Sequence, residues 1–83
     1  MNTIARNTKQ FGASIRRARR QQGLTQRALS DLMNVRQATV SKLEAGEPGT
    51  QIGIFIDALA ALGLELIVRP RSKTSAEDIA DLF

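Results

Sequence analysis

The 83-residue sequence contains no cysteine, histidine, tryptophan or tyrosine, and only two prolines. Without cysteine the chain has no disulfide, no zinc-thiolate site and no thiol nucleophile. Without histidine it lacks the most common general base. Three phenylalanines are its only aromatic residues, which leaves little material for an aromatic ligand cage. We therefore expect neither an enzyme nor a bound metal or cofactor.

Long apolar runs are also missing from the sequence. No run approaches the roughly 20 residues needed to cross a bilayer. Residues 1–10 contain no apolar core of a signal peptide, so we expect a cytoplasmic protein without membrane contact. A chain of this length predicts one small domain with a modest core, which self-association would extend.

The charges are distributed unevenly along the chain. Through Glu44 there are nine basic and two acidic residues, a net charge of +7, whereas the rest of the chain carries −3. A basic front half with an acidic rear is typical of a nucleic-acid-binding protein whose far side meets another partner. For the run "RRARR" alone, a solvated basic helix explains the pattern equally well.

Apolar periodicity and capping residues predict four helices. Thr8 is a candidate cap for the first helix, which extends to about Gln22, and Gly23 ends it. Thr25 is a candidate cap for the second, roughly Gln26–Met33. We expect the buried side of the second helix to contain Ala28, Leu29, Leu32 and Met33.

Two further helices follow a turn at Asn34. The third spans Gln37–Ala45 and ends at Gly46. Thr50 is a candidate cap for the fourth, which Gly63 closes. Its apolar stripe has the strongest periodicity of the chain and comprises Ile52, Phe55, Ile56, Leu59, Ala60 and Leu62.

In residues 64–70, "LELIVRP", Leu64, Leu66 and Val68 alternate with Glu65, Ile67 and Arg69, and this pattern predicts one β-strand. A single strand in a helical chain has no partner for its backbone groups. Pairing with a second copy across a two-fold axis would satisfy them and bury Leu66 and Val68. The alternative is an extended segment packed on the core. The predicted dimer interface comprises Leu64, Leu66, Ile67 and Val68.

The two ends of the chain lie outside this predicted domain. Residues 1–7 form an N-terminal arm, and residues 71–83 form a flexible polar tail. In the tail, Ser75 can cap about two helical turns that align Ile79, Leu82 and Phe83. This segment is either a docking peptide or a frayed terminus.

The third helix has an unusual outward face. Val40 and Leu43 lie on its apolar side, whereas Gln37, Ala38 and Ser41 face away. Because the side chains on this face are short, a large binding partner can approach the helix backbone closely. The major groove of DNA, about 12 Å wide, is one such object.

Residues 11–66, "FGASIRRARRQQGLTQRALSDLMNVRQATVSKLEAGEPGTQIGIFIDALAALGLEL", resemble the helix-turn-helix domain of the phage repressor and Cro type. The specific features are "IRRAR" before "GLTQ", the Asn-Val turn and "SKLEAG" at the end of the third helix. The resemblance implies a mostly α, lambda-repressor-like domain over residues 8–63. It would contain four to five helices, with the strand at residues 64–70 pairing across a dimer.

Within that family the chain is most similar to the HipB-like antitoxins. These are dimeric repressors that bind operator DNA and neutralise a HipA-like serine/threonine kinase toxin. The resemblance therefore implies three partners: double-stranded operator DNA, a second copy of the chain and a kinase toxin. The alternative is a free-standing transcriptional regulator without a toxin.

The resemblance also assigns roles to individual residues. Gln37 can pair with adenine through both ends of its amide, and Ala38 suits a thymine methyl. Arg36 can reach a guanine or a phosphate, and Ser41 a base or a phosphate. Gln26 matches the family glutamine that contacts a phosphate and braces the glutamine of the recognition helix, here Gln37. The expected phosphate contacts are Thr25, Gln26, Arg27, Thr39 and Lys42.

Arg19 and Glu44 match a family ion pair that ties the first helix to the third. Both are therefore expected to be structural, not DNA contacts. Three other arginines of the first helix, Arg16, Arg17 and Arg20, either touch phosphate or are simply solvated. Arg69 and Arg71 either lie at the edge of the dimer or face an acidic partner.

Overall fold

The computed structural model describes residues 3–71, which contain four helices. They are α1 (Thr8–Gln21), α2 (Gln26–Met33), α3 (Gln37–Ala45) and α4 (Ile52–Ala61). The mostly helical fold class predicted from the sequence is confirmed. In the described part of the chain, no helix is long and apolar enough to cross a membrane.

The caps of these helices follow the sequence prediction in part. The Thr25 hydroxyl accepts from the Ala28 N–H at 3.0 Å and caps α2. The cap of α1 is Asn7, whose side chain accepts from the Gln10 N–H at 2.8 Å, so the assignment to Thr8 was wrong by one residue. The Thr50 assignment was also wrong, because α4 begins after Gln51 without a side-chain cap.

The core lies where the four helices meet, and each helix contributes to it. Ile15, Leu29, Val40 and Leu43 are fully buried, and α4 adds its own apolar residues. The rings of Phe11 and Phe55 are in contact, with centroids 4.4 Å apart and an interplanar angle of 51°. The buried residues of α4 and its C-cap are Phe55, Ala58, Leu59 and Leu62.

Several apolar residues predicted to be buried lie on the surface instead. Leu32 is 61% exposed, Ile52 63% and Ile56 43%. Each lies on the correct helix, but no neighbouring element of the described chain covers that part of the apolar stripe. Helical periodicity identified the apolar face and overestimated how much of it is covered.

Helix α1 and the end of α3 approach unusually closely at two glycines. A Cβ added to Gly12 would lie 2.6 Å from the carbonyl oxygens of both Leu43 and Glu44. A Cβ on Gly46, whose φ is +75°, would lie 2.5 Å from the Cα of Lys9. The C-terminal end of α3 is therefore pressed directly against the backbone of α1.

Residues 64–71 follow α4 without regular secondary structure, and their side chains are exposed. The Leu64 N–H donates to the Leu59 carbonyl at 2.8 Å, and within the described residues no β-strand is formed. The strand predicted over residues 64–70 is thus absent from the single chain, because a strand needs a partner edge. Pairing across a dimer stays a prediction, and most of the predicted tail, residues 72–83, lies outside the described part.

Candidate nucleic-acid interface

Helices α2 and α3 are joined by a three-residue turn that fixes their relative orientation. Asn34 adopts the left-handed conformation, with φ 57° and ψ 45°, which asparagine tolerates better than most residues. The Val35 N–H then donates to the Ser30 carbonyl at 3.0 Å, and the Val35 side chain packs against the core. This arrangement is a helix-turn-helix whose second helix is α3.

The exposed face of α3 carries short polar and uncharged side chains at its centre. Gln37, Ala38 and Ser41 are exposed, while Val40 and Leu43 on the opposite face are fully buried. Lys42 is also exposed, and Thr39 is half-buried. The surface of α3 is therefore accessible along its whole length to an object as large as a DNA groove.

The N-terminal ends of α2 and α3, the two helices of the helix-turn-helix, both carry exposed residues. Thr25 and Arg27 are exposed at the start of α2. Arg36, the N-cap of α3, is exposed and makes no side-chain capping bond. The first N–H groups of a helix have no acceptor within the helix, and together with the helix dipole they favour an anion such as phosphate.

A buried ion pair joins α3 to α1. Arg19 Nε lies 2.7 Å from Glu44 Oε2, and Arg19 Nη2 donates to Glu44 Oε1 at 3.0 Å. The two residues are 7% and 8% exposed. Arg19 Nη1 also donates to the Leu24 carbonyl at 2.7 Å. The bidentate geometry therefore holds α1, the loop before α2 and α3 in one arrangement.

Gln26 takes part in the same network. Its Nε2 donates to Glu44 Oε1 at 3.2 Å, so Glu44 receives three hydrogen bonds from two elements. Among residues 3–71 its side chain bonds to Glu44 and not to Gln37. This contact could not be predicted from the sequence, because its two residues are 18 positions apart and leave no local signal of their pairing.

A second non-local contact was also missed. Gln22 Nε2 donates to the Leu62 carbonyl at 2.8 Å and ties the C-terminal end of α1 to that of α4. Nothing in the spacing of the sequence points to it.

The other arginines of α1 and those after α4 are exposed: Arg16, Arg17, Arg20, Arg69 and Arg71.

The described residues contain no cluster of acidic side chains able to hold a metal ion. Their buried side-chain nitrogen and oxygen atoms all have hydrogen-bond partners. Nothing in this part of the chain shows catalytic activity. The fold is that of DNA-binding regulators, which are typically not enzymes.

Solved structures similar to this chain include three at 26% identity, each covering 88% of this chain and 100% of its own. One is a complex of a HipB variant with a 20mer called O2, with a TM-score of 0.78. Another is a complex of HipA, HipB, O2 and O3, and the third is described only as MDT protein, both with a TM-score of 0.75.

No curated protein sequence matches the chain. A family model for the helix-turn-helix does match, over residues 15–68. These residues run from the buried Ile15 of α1 through α2, the turn, α3 and α4 to Val68, in the irregular segment that follows α4. The chain therefore belongs to the helix-turn-helix family of the phage repressor type.

Proposed function

We propose that this protein is a dimeric, sequence-specific repressor that binds palindromic operator DNA and acts as the antitoxin of a HipA-like kinase. The observation that carries the DNA-binding part is the bare outward face of α3, where Gln37, Ala38 and Ser41 are exposed above a fully buried Val40. A helix of this kind can lie deep in the major groove.

Docking in the family's geometry assigns each exposed residue a contact. Gln37 reads an adenine, Ala38 meets a thymine methyl, and Arg36 and Ser41 reach neighbouring base edges. The positive N-terminal ends and side chains around them hold the phosphates. The proposed phosphate contacts are Thr25, Gln26, Arg27, Thr39 and Lys42.

The network around Glu44 refines the role of Gln26 in this proposal. One hydrogen of its amide nitrogen is donated to Glu44 at 3.2 Å, so a phosphate contact would come from the second amide hydrogen or from the N–H groups that begin α2. The Thr25 hydroxyl already accepts from Ala28, but its own hydrogen is available to donate.

Two substitutions on α3 separate base reading from phosphate binding. Gln37→Ala is expected to lose about 1–3 kcal/mol of discrimination at one base position, because a bidentate amide contact is removed. Lys42→Ala is expected to weaken binding to all sequences alike and to reduce the salt slope by about 1. Fluorescence anisotropy with operator and single-base variants at several salt concentrations measures both.

Both side chains are exposed, so each variant should fold normally and serve as the other's control. If the two variants lose affinity and specificity in the same way, α3 does not read bases as proposed.

The antitoxin part of the proposal is supported by the likeness to HipB, one of whose structures contains HipA. The uneven charge supports it as well, because an acidic rear half is not needed for DNA binding. A free-standing helix-turn-helix regulator would keep the face of α3 and have no protein partner.

Native mass spectrometry on the protein tagged at its own locus tests for the kinase. We expect a second protein in stoichiometric amount that remains after nuclease treatment and phosphorylates serine or threonine when released. A complex that contains only copies of this chain, with or without DNA, would instead establish the free-standing regulator.

A further inference from the structure

The chain leaves α4 through a tightly specified turn. Leu62, the C-cap of α4, is 4% exposed, and Gly63 follows it with a φ of +72°. The Gly63 N–H donates to the Ala60 carbonyl at 3.1 Å, and the Leu64 N–H donates to the Leu59 carbonyl at 2.8 Å. These two bonds form a Schellman motif, which sets the direction of the following residues relative to α4 alone.

Helix α1 ends in the same way. Gln22 is its C-cap, Gly23 has a φ of +72°, and the Leu24 N–H donates to the Arg19 carbonyl at 3.1 Å. The backbone of Gln22 is therefore fixed at the end of α1. Its side chain reaches α4, where Nε2 donates to the Leu62 carbonyl at 2.8 Å. The C-caps of the two helices are thus joined directly to each other.

This bond connects the end of α4 to the proposed recognition helix. Arg19, three residues before Gln22, holds the buried Glu44 of α3 through bonds of 2.7 and 3.0 Å. Among the residues that the structure describes, the bond from Gln22 to Leu62 is the only hydrogen bond between α1, with its C-cap, and residues 62–71. The hydrogen-bonded route from α3 through α1 to the segment after α4 therefore passes through Gln22.

Apolar packing also joins α1 to α4, but at the other end of both helices. The rings of Phe11 and Phe55 are in contact near the N-terminal ends of α1 and α4. Apolar attraction is non-directional, so it restrains a small pivot of α4 about this contact less sharply than a hydrogen bond does. The bond of Gln22 supplies the second fixed point and thereby defines the angle between the two helices.

We infer that Gln22 is a positioning residue that sets the spacing between the two half-sites of the operator. The inference rests on the proposed dimer, which pairs through residues 64–70 and reads DNA with α3. In such a dimer, the distance between the two recognition helices depends on the angle at which each chain leaves α4, and the two-fold axis applies any change twice. One base pair corresponds to about 3.4 Å and about a tenth of a turn, so a small change of this angle changes the spacing that fits.

Gln22→Met tests the inference, because it removes the amide donor and keeps the length of the side chain. The probe is a palindromic duplex selected from random DNA by the native protein. It is compared with duplexes that have one base pair more or fewer between the half-sites, and with a duplex that contains one half-site. Fluorescence anisotropy measures the affinities, and multi-angle light scattering measures the mass.

We expect the native protein to bind the altered spacings at least about 10²-fold more weakly than the selected one, because avidity is lost when both half-sites cannot be engaged together. In Gln22→Met this ratio should fall to about tenfold or less, since a less restrained dimer accepts more than one spacing. The affinity for the single half-site and the dimeric mass should stay unchanged, because Gln22 is not among the proposed DNA contacts.

Gln21→Met is the matched control. Gln21 is the neighbouring exposed glutamine of α1, and its side chain makes no hydrogen bond within the described residues, so the ratio should stay at the native value. Gln22→Lys restores a donor of similar reach and should recover the spacing preference. Its added charge acts on all spacings alike and cancels in the ratio.

Electron spin resonance measures the same geometry without DNA. The protein contains no cysteine, so Ala45→Cys places one nitroxide per protomer at the exposed end of α3, outside the proposed contacts. We expect a narrow distribution of distances between the two labels when Gln22 is present. In Gln22→Met the distribution should be broader by about one base-pair step, about 3.4 Å, and in Gln21→Met it should stay narrow.

The outcomes separate this inference from the proposed function. If the labels show no distance between protomers, or the native protein has no spacing preference, the dimeric repressor is wrong and the inference with it. A native spacing preference that Gln22→Met keeps, with an unchanged distance distribution, overturns the inference alone. Equal losses of affinity for the single half-site and for the full operator would make Gln22 a purely structural residue, which also overturns it.

Discussion

Glu44→Ala is expected to lower the free energy of unfolding by about 3–5 kcal/mol, which is a large part of the total stability of a small domain. The substitution leaves the Arg19 guanidinium buried without its bidentate partner, and only the Leu24 carbonyl still accepts from it. Gln26 loses its acceptor at the same time. Urea unfolding followed by circular dichroism measures the change.

Glu47→Ala is the matched control, because Glu47 is exposed and its side chain has no partner in the described chain. It should change the stability by less than about 0.5 kcal/mol. Glu44→Gln should fall between the two, since one amide oxygen still accepts a hydrogen bond. Equal stabilities of Glu44→Ala and Glu47→Ala would show that the ion pair does not support the fold.

Leu66→Asp is expected to convert the proposed dimer into monomers. A carboxylate in a paired apolar strand would have to be desolvated at the interface. The unfavourable free energy of this desolvation exceeds the favourable free energy of strand pairing. A monomer engages one half-site, so affinity for a two-half-site operator should fall by about 10²–10⁴-fold through lost avidity. Multi-angle light scattering gives the mass, and anisotropy gives the affinity.

Leu32→Asp controls for the chemistry of this substitution. Leu32 is 61% exposed on α2, compared with 47% for Leu66, so both changes replace an exposed leucine with aspartate. Leu32→Asp should remain dimeric. A Leu66→Asp protein with the mass of a dimer would place the interface elsewhere, and the exposed Ile52 and Ile56 of α4 would be the next surface to test.

The helices could be predicted from the sequence because their signals are local. Thr25, Asn34 and Gly46 begin or end helices at the expected positions. The cap of α1 was misassigned because Asn7 and Thr8 are adjacent and both can cap a helix. The exposure of Leu32 and Ile52 was misjudged because periodicity shows which face is apolar and not how far its neighbours cover it.

The candidate site was less accessible to sequence reasoning wherever it depends on distant residues. The exposed positions of α3 follow from the helical period alone. The hydrogen bond from Gln26 to Glu44 and that from Gln22 to Leu62 join positions 18 and 40 residues apart. Residues 64–71 run beside the side of α1 that carries Ser14 and Arg17, and nothing local in their sequence indicates that path.

The two glycine contacts between α1 and α3 have a consequence for the precision of base reading. Gly12 and Gly46 set the position of the C-terminal end of α3, whereas Gln37, the proposed base contact, lies at the opposite end. Nine helical residues span about 13 Å, so a tilt of about 10° at the anchored end moves Gln37 by about 2 Å. That displacement exceeds the tolerance of a hydrogen bond. A single methyl group added at Gly12 would press on the carbonyl oxygens of Leu43 and Glu44, and we expect it to shift Gln37 and to weaken the proposed discrimination between operator bases that Gly12 itself does not contact.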